Sequence, residues 1–274
     1  MNEETKLTEK LYSVYAKDEW KRLTKDPYHR LEFDTTLRFL KKYLPPKGLI
    51  LDAGGGPGRY TIKLANLGYK VVLFDLVQEN LEIARNQIKK AKVGEKVKRV
   101  VEGSITDLSE FKNNSFDAVL CLGGPLSHIY PETERQKAVS ELVRVAKLGA
   151  PIFVSVMSKY GVMLSTPGGW PQEVIYKEHY ENLAFKGEDY KFRGSAYCHY
   201  FTSDELKMIF SDRGADMLEV IGLEGLNIDK KTTNVFAKKF PDAWRNWVEL
   251  HNKICTDPFV VNASGHMMII VRKK

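Results

Sequence analysis

Between residues 48 and 157, short apolar runs alternate with segments of helical periodicity. The runs, such as "YKVVLFD", are too short for helices and are bounded by turn residues, which is typical of strands buried on both faces. A helical segment such as "ETERQKAVSELVRVAKLG" separates successive runs. Strands that alternate with helices are joined by right-handed crossovers, so they form a parallel sheet with helices on both faces. The alternation therefore predicts a Rossmann-like, doubly wound α/β fold.

Four segments follow from these patterns. Residues 1–44 are helical up to "LPPKG" and predict an N-terminal helical cap; residues 45–157 form the core. Residues 158–200 contain "TPGGWPQ" and many aromatic residues. Because a structureless loop of this length is unusual in a compact domain, we expect an inserted cap with structure of its own over a substrate cleft. Residues 201–274 add two further strands and complete the sheet.

A glycine-rich loop, "GLILDAGGGPGRYT", follows the first strand at residues 48–61. A dinucleotide fingerprint needs a third glycine where this chain has Arg59 or Thr61, so an NAD-dependent dehydrogenase is not favoured. No Gly-Lys-Ser/Thr follows, which excludes a P-loop. Pro57 suits the first position of a helix that we expect to end near Ala65. The glycines predict room for a ligand directly above the strand end.

Polar residues follow the ends of the next strands. Asp52 ends the first strand and Asp75 ends the second, about twenty residues after the glycines, where an acid can accept hydrogen bonds from a ribose diol. Ser104 and Leu122 follow the third and fourth strands. In open parallel sheets, ligands bind at the carboxyl ends of the strands, so these four residues should converge on one crevice.

The order of these motifs resembles a class I S-adenosylmethionine-dependent methyltransferase. The resemblance is carried by "LDAGGGPGRYTIKLANLGYKVVLFD", "VVEGSITDL", "FDAVLCLGGPLSHI" and "ELVRVAKLGAPIFVSV". The resemblance is strong over residues 43–157 and weaker from there to the end of the chain. Within the family, the motifs are most similar to those of the ubiquinone/menaquinone-biosynthesis-type and small-molecule methyltransferases. The resemblance implies an enzyme of the EC 2.1.1 class with S-adenosylmethionine as cofactor. The implied fold is a mostly parallel seven-stranded sheet with an antiparallel last strand.

The resemblance also implies cofactor-binding residues in the first two motifs. The acid and glycines that would hold the methionine part of the cofactor are Asp52, Gly54, Gly56 and Gly58. Asp75 would bind the ribose hydroxyls, and its neighbour Leu76 would lie against the adenine.

Two later motifs would complete the cofactor site. Where the family usually has an acid facing the adenine amine, this chain has Ser104 and then Ile105. Ser104 can still form a hydrogen bond and Ile105 can pack on the ring. The backbone of Leu122 and Gly123 would accept hydrogen bonds from the cofactor's amino group.

The acceptor side is less constrained by the motifs. Members that methylate nucleobases or protein amides carry Asn/Asp-Pro-Pro-Tyr/Phe after the fourth strand, whereas this chain has "LGGPLSH", so such substrates are not favoured. His128 could act as general base toward a hydroxyl or thiol, or it could be an ordinary loop or capping histidine. Tyr180 and His199 could contact the acceptor from the inserted cap, or they could belong to that cap's own core.

Composition restricts the partners. The net charge is +7 and the pI is about 9.1, but the basic residues are spread thinly among glutamates, so a nucleic acid partner is not favoured. Three cysteines far apart predict reduced thiols, and no metal is implied by the resemblance or by clustered ligands. The chain has neither a secretory signal nor the run of about 20 apolar residues that a membrane span requires. We expect a cytoplasmic protein, and the sequence leaves room for a homodimer.

The sequence therefore predicts methyl transfer from S-adenosylmethionine to a small, apolar or aromatic acceptor at oxygen, sulfur or carbon. Two alternatives remain open at this point. The basic charge allows an RNA methyltransferase, and the absence of a mandatory catalytic side chain in the family allows a non-catalytic module that binds the cofactor as a partner subunit.

Overall fold

The computed structural model describes residues 3–190, 192, 196–226 and 229–274. Residues 191 and 193–195 of the predicted inserted cap lie outside the described residues. The strands are β1 Leu49–Ala53, β2 Lys70–Asp75, β3 Val97–Glu102, β4 Ala118–Cys121, β5 Pro151–Met157, β6 Glu188–Asp189, β7 Cys198–His199, β8 Ala215–Gly222 and β9 His266–Lys273.

Seven of these strands form one sheet in the order β3-β2-β1-β4-β5-β9-β8. β1 pairs in parallel with β2 and β4, while β9 runs antiparallel to both β5 and β8. The strand order reverses between β1 and β4, which is where open α/β sheets bind ligands. The predicted Rossmann-like sheet with an antiparallel last strand is confirmed.

Helices surround the sheet. They are α1 Glu3–Arg22, α2 Pro27–Tyr43, α3 Arg59–Asn66, α4 Gln78–Lys90, α5 Glu132–Val145, α6 Lys159–Gly169, α7 Lys177–Glu181, α8 Ser203–Met208, α9 Lys230–Lys239, α10 Pro241–Ile254 and α11 Pro258–Ala263. A short 3-10 turn, Pro125–His128, follows β4. None of the helices among the described residues is long and apolar enough to cross a membrane.

The sheet separates two apolar clusters, which explains why its central strands read as unbroken apolar runs. In β1, Leu51 belongs to the cluster on one face and Ile50 to the cluster on the other, and both are fully buried. Burying one such side chain stabilises the fold by about 1.5–3 kcal/mol. Neither face of β1 therefore accepts a polar side chain until the strand ends.

The start of α3 corrects one sequence prediction. Pro57 was expected at the first helical position, but α3 begins at Arg59 and Pro57 lies in the preceding turn. The reason is Gly58, whose φ of +83° is left-handed, so the backbone cannot be helical before it. The loop is thus longer and more open than the sequence suggested.

Helix α1 contacts Arg59, the first residue of α3, directly after the glycine loop. The Arg59 guanidinium lies 3.7 Å from the centre of the Trp20 ring and donates a hydrogen bond to the Trp20 carbonyl oxygen. Only three residues of α1 are buried, namely Glu4, Thr8 and Ala16. The helix therefore lies across the sheet's carboxyl edge rather than inside an apolar core.

The described part of residues 158–200 contains α6, α7, two short turns and the two-stranded β6–β7 ribbon. Tyr197 packs edge-on against Tyr130 at a ring distance of 4.9 Å, and Tyr190 packs against Tyr130 with tilted rings at 5.3 Å. Tyr197 also ties this segment to α5, because Arg135 donates a 2.7 Å hydrogen bond to its hydroxyl.

Candidate active site

One pocket lies at the carboxyl ends of β1 to β4, beneath α1. Its cavity volume is about 130 Å³, and it opens to solvent. The predicted site residues that line it are Gly54, Gly56, Asp75, Leu76, Ser104, Ile105, Leu122, Gly123 and His128. Of the four residues expected to converge on one crevice, Asp75, Ser104 and Leu122 line this pocket.

Asp52 and Gly58 do not line the pocket, although the resemblance placed both at the cofactor. Asp52 is fully buried, and one carboxylate oxygen accepts a 2.6 Å hydrogen bond from the Thr61 hydroxyl. Burial raises the pKa of Asp52 to about 6. Gly58 packs against Ala84 of α4. Both residues therefore support the glycine loop from behind and do not reach the pocket.

Tyr180 and His199 do not reach the pocket either. The Tyr180 hydroxyl donates a 2.9 Å hydrogen bond to the Thr166 hydroxyl, on the far part of the inserted cap. His199 is buried edge-on against Phe201 at 4.5 Å, and burial lowers its pKa to about 3. The sequence could not separate these residues from pocket residues, because an aromatic cluster in a cap has the same composition as an aromatic pocket.

The glycine loop is packed against protein at two of its positions. A Cβ atom on Gly54 would lie 2.5 Å from Pro125 Cγ, and one on Gly55 would lie 2.5 Å from Leu73 and 2.6 Å from Asp52. A Cβ atom on Gly56 would instead meet the Asn80 amide nitrogen at 3.8 Å, an ordinary van der Waals contact. The expectation that the glycines leave room for a ligand is therefore wrong for Gly54 and Gly55, where neighbouring chain segments fill the room.

Replacing Gly55 tests this packing. We expect Gly55→Ala to lower the free energy of unfolding by about 1–3 kcal/mol, because the added methyl group overpacks against Leu73 and Asp52. Gly94→Ala is the matched control, since a Cβ there meets nothing within 4 Å. Urea denaturation of both variants is the measurement. Equal stability of the two would show that the loop can move away from β2.

Asp75 is held in the pocket by three donors. Its carboxylate accepts hydrogen bonds from the backbone N–H groups of Gly56 and Val77 at 2.7 and 3.0 Å, and from the Asn80 amide at 3.2 Å. Burial nevertheless raises its pKa. Asn80 Oδ1 is buried and has no hydrogen bond partner among the described residues. Asp75 and Asn80 thus present oxygen acceptors, which fits a ligand that brings hydroxyl or amine donors.

His128 lines the same pocket, and both of its ring nitrogens have partners. Its Nδ1 is 2.9 Å from the carbonyl oxygen of Tyr197 and its Nε2 is 2.8 Å from the Tyr12 hydroxyl. A carbonyl only accepts, so Nδ1 carries the proton and Nε2 accepts from Tyr12. Burial lowers the pKa of His128 and raises that of Tyr12. The neutral imidazole therefore presents a basic nitrogen to the pocket.

Two charged residues of α1 also line the pocket, and sequence reasoning missed them. Arg22 donates to Glu19 at 3.1 Å, one turn earlier on the same helix face. The guanidinium lies at the end of β4, where a Cβ on Gly123 would be 3.4 Å from its Nη2. In the sequence, Glu19 and Arg22 stand out only by their i, i+3 spacing. Oppositely charged pairs at this spacing are common on any solvated helix, so the spacing does not indicate a pocket.

A further cluster lies behind Arg22. Glu32, Glu224 and His266 each offer one ligand atom, all within 4.8 Å of one another. The three residues are far apart in the chain, so no clustered metal-ligand spacing marks them in the sequence. Both Glu32 oxygens, however, already accept hydrogen bonds from Arg22, at 2.6 and 3.1 Å.

Comparison with known proteins finds similarity to methyltransferases. A family model described as "Methyltransferase domain" matches residues 50–149. The chain is 28% identical over 198 residues to a ubiquinone biosynthesis O-methyltransferase of Xanthomonas axonopodis pv. citri (strain 306), a match that covers 72% of this chain and 74% of that protein. It is 29% identical over 98 residues to a glycine/sarcosine N-methyltransferase of Aphanothece halophytica, covering 36% of each.

The fold has counterparts among solved structures. One is the 1,6-didemethyltoxoflavin-N1-methyltransferase of Burkholderia thailandensis, solved with 1,6-didemethyltoxoflavin and S-adenosylhomocysteine bound. The TM-score is 0.62 at 14% identity, covering 98% of this chain and 88% of that one. At this identity the likeness concerns the fold.

Proposed function

The chain is a class I S-adenosylmethionine-dependent methyltransferase, and we propose that it methylates a hydroxyl oxygen of a small, apolar or aromatic acceptor. The family model and the O-methyltransferase relative bear out the predicted enzyme class and cofactor. One observation carries the proposed acceptor: His128 lines the pocket that also contains the predicted cofactor residues, and its unprotonated Nε2 accepts a hydroxyl hydrogen bond there from Tyr12.

The pocket residues fit the cofactor. Asp75 and Asn80 offer acceptors for the ribose hydroxyls, and the apolar side chains of Leu76 and Ile105 can enclose the adenine ring. Glu19 and Arg22 bring opposite charges to the pocket, which suits a zwitterionic amino acid end. When bound, the cofactor supplies an activated methyl group, so that positioning and exclusion of water carry much of the rate.

On the acceptor side, His128 would take the hydroxyl proton at Nε2. The Tyr197 carbonyl holds the opposite nitrogen as a donor, which keeps the imidazole in the tautomer that a general base needs. Tyr12 is a donor in this arrangement, since its raised pKa keeps the phenol protonated. We propose that the acceptor's hydroxyl replaces the Tyr12 hydroxyl at Nε2, because both groups make the same hydrogen bond.

Apolar side chains support the proposed acceptor class. Leu23, Leu122 and Ile129 line the pocket together with the ring of Tyr60. A planar or lipophilic hydroxyl compound would bury apolar surface against them, at about 25 cal/mol per Å². The pocket is also bounded by α1, which leaves less room for a folded RNA than for a small molecule.

A methyl transfer screen tests the proposal. Purified protein is incubated with S-adenosylmethionine labelled in its methyl group and with matched phenol, thiophenol and aniline acceptors. We expect transfer to the phenols in preference to the anilines, because only the hydroxyl must lose its proton to the base. Preferential transfer to amines, or to an RNA fraction, would contradict the proposed acceptor.

The pH dependence gives a separate prediction. Because burial lowers the pKa of His128 below the usual 6.5, the neutral base persists at more acidic pH. We expect kcat for the phenol acceptor to stay on its plateau at pH 6.5 and to fall only at lower pH. A decline that begins above pH 6.5 would indicate that His128 is not the titrating base.

A further inference from the structure

Four charged side chains from distant parts of the chain meet directly behind the cofactor pocket. Arg22 ends α1 and Glu32 lies in α2, whereas Glu224 follows β8 and His266 opens β9. Glu32 and Glu224 have side chains that are 2% and 0% exposed. Carboxylates buried this deeply require charged or hydrogen-bonding partners, so the four groups depend on one another.

Arg22 and Glu32 form the part nearest the pocket. Two guanidinium N–H groups donate to the two Glu32 oxygens at 2.6 and 3.1 Å. A bidentate pair of this kind fixes the plane of the guanidinium as well as its position. Three of the five N–H donors are used by Glu19 and Glu32, so two remain for a ligand in the pocket.

Glu224 and His266 form the anchor of the network. His266 Nδ1 lies 2.6 Å from one Glu224 oxygen, and the His266 backbone N–H donates to the other at 2.8 Å. The same Nδ1 is 3.9 Å from Glu32. Burial opposes protonation of His266, but Glu32 and Glu224 prevail and raise its pKa. The His266 ring thus lies between Glu224 and Glu32, at the first residue of β9.

A metal ion is the other occupant that this cluster could hold. A dication there would lie beside the Arg22 guanidinium, which already neutralises Glu32 through both oxygens. Like-charge repulsion in a buried site disfavours that arrangement. The contacts therefore favour a network that orients Arg22.

We propose that Glu32, anchored by His266 and Glu224, positions the Arg22 guanidinium to bind the carboxylate of the cofactor's amino acid end. Arg22 lines the pocket beside Gly123, and Glu19 places a negative charge next to it. The two charges match the carboxylate and the ammonium group of an amino acid. The inference rests on the cofactor site of the proposed function and is independent of the acceptor.

The test compares two ligands that differ only at this end of the molecule. S-Adenosylhomocysteine carries the amino acid carboxylate, whereas 5′-methylthioadenosine lacks it. Calorimetric titration of Glu32→Gln and His266→Gln should show an S-adenosylhomocysteine Kd raised about ten- to a hundredfold, while the methylthioadenosine Kd changes by less than about twofold. Arg22→Gln should show the same selective loss.

His251→Gln is the control for a buried histidine outside the network, because His251 instead contacts Thr35 at 2.9 Å. It should bind both ligands as the wild type does. If Glu32→Gln does not fold, His266→Gln at the more exposed end of the network carries the test.

The other outcomes overturn the inference in distinguishable ways. Equal losses for both ligands, or no loss for either, would mean that the network only maintains the fold. A zinc-dependent rise in wild-type melting temperature that Glu32→Gln lacks would assign the cluster to a metal. Failure of the wild type to bind either nucleoside would instead contradict the cofactor site on which the proposed function rests.

Discussion

Asp75→Ala is expected to weaken binding of S-adenosylmethionine by at least about a hundredfold, because hydrogen bonds to a charged group contribute about 1.5–3 kcal/mol each and a ribose diol makes two. The carboxylate also accepts from Gly56 and Val77, so its loss removes part of the support of the glycine loop, while Gly54 and Gly55 still donate to the Phe74 carbonyl oxygen. Calorimetric titration with S-adenosylmethionine, S-adenosylhomocysteine and NAD is the measurement. The wild type should bind the first two and not NAD.

The control is an acid that follows the neighbouring strand. Asp107 lies after β3 and its side chain accepts only local hydrogen bonds from Ser109 among the described residues, so Asp107→Ala should leave the affinity unchanged. Asp75→Asn keeps one oxygen for the backbone donors and should fold while still losing affinity. Unchanged binding in Asp75→Ala, or binding of NAD by the wild type, would refute the assignment of this carboxylate.

The sequence was a reliable guide wherever backbone geometry decided the outcome. A central strand must be apolar on both faces, as Ile50 and Leu51 are, and an acid that ends such a strand must emerge at the sheet's edge, as Asp75 does. Neither result depends on the neighbours that a side chain later meets. The fold and the core of the cofactor pocket could therefore be predicted.

The errors arose where three-dimensional packing decided the outcome. Gly54 and Gly55 are glycines because Pro125 and Leu73 approach them, and no local pattern reports such a contact. Arg22 reaches the pocket only because α1 lies across the sheet edge. His199 is one buried aromatic cap residue among several, so composition could not tell it from a pocket residue.

Replacing the proposed base should have the second large effect. We expect His128→Ala to lower kcat for a phenol acceptor by about 10²–10⁴-fold, the usual contribution of a positioned general base. Binding of S-adenosylmethionine should change little, because the polar groups proposed to hold the cofactor belong to Asp75, Asn80, Glu19 and Arg22 and not to His128. Single-turnover methyl transfer, measured with saturating cofactor, separates the chemical step from binding.

Tyr12→Phe is the matched variant for this prediction. It removes the hydroxyl that occupies Nε2 and keeps the ring that packs edge-on against His128 at 5.3 Å. If the acceptor's hydroxyl replaces that of Tyr12, the variant should retain kcat within about threefold, since the base itself is unchanged. A loss as large as that of His128→Ala would instead make Tyr12 part of the proton path. Full activity in His128→Ala would show that methyl transfer needs no general base. The rate enhancement would then come from positioning the acceptor at the methyl group.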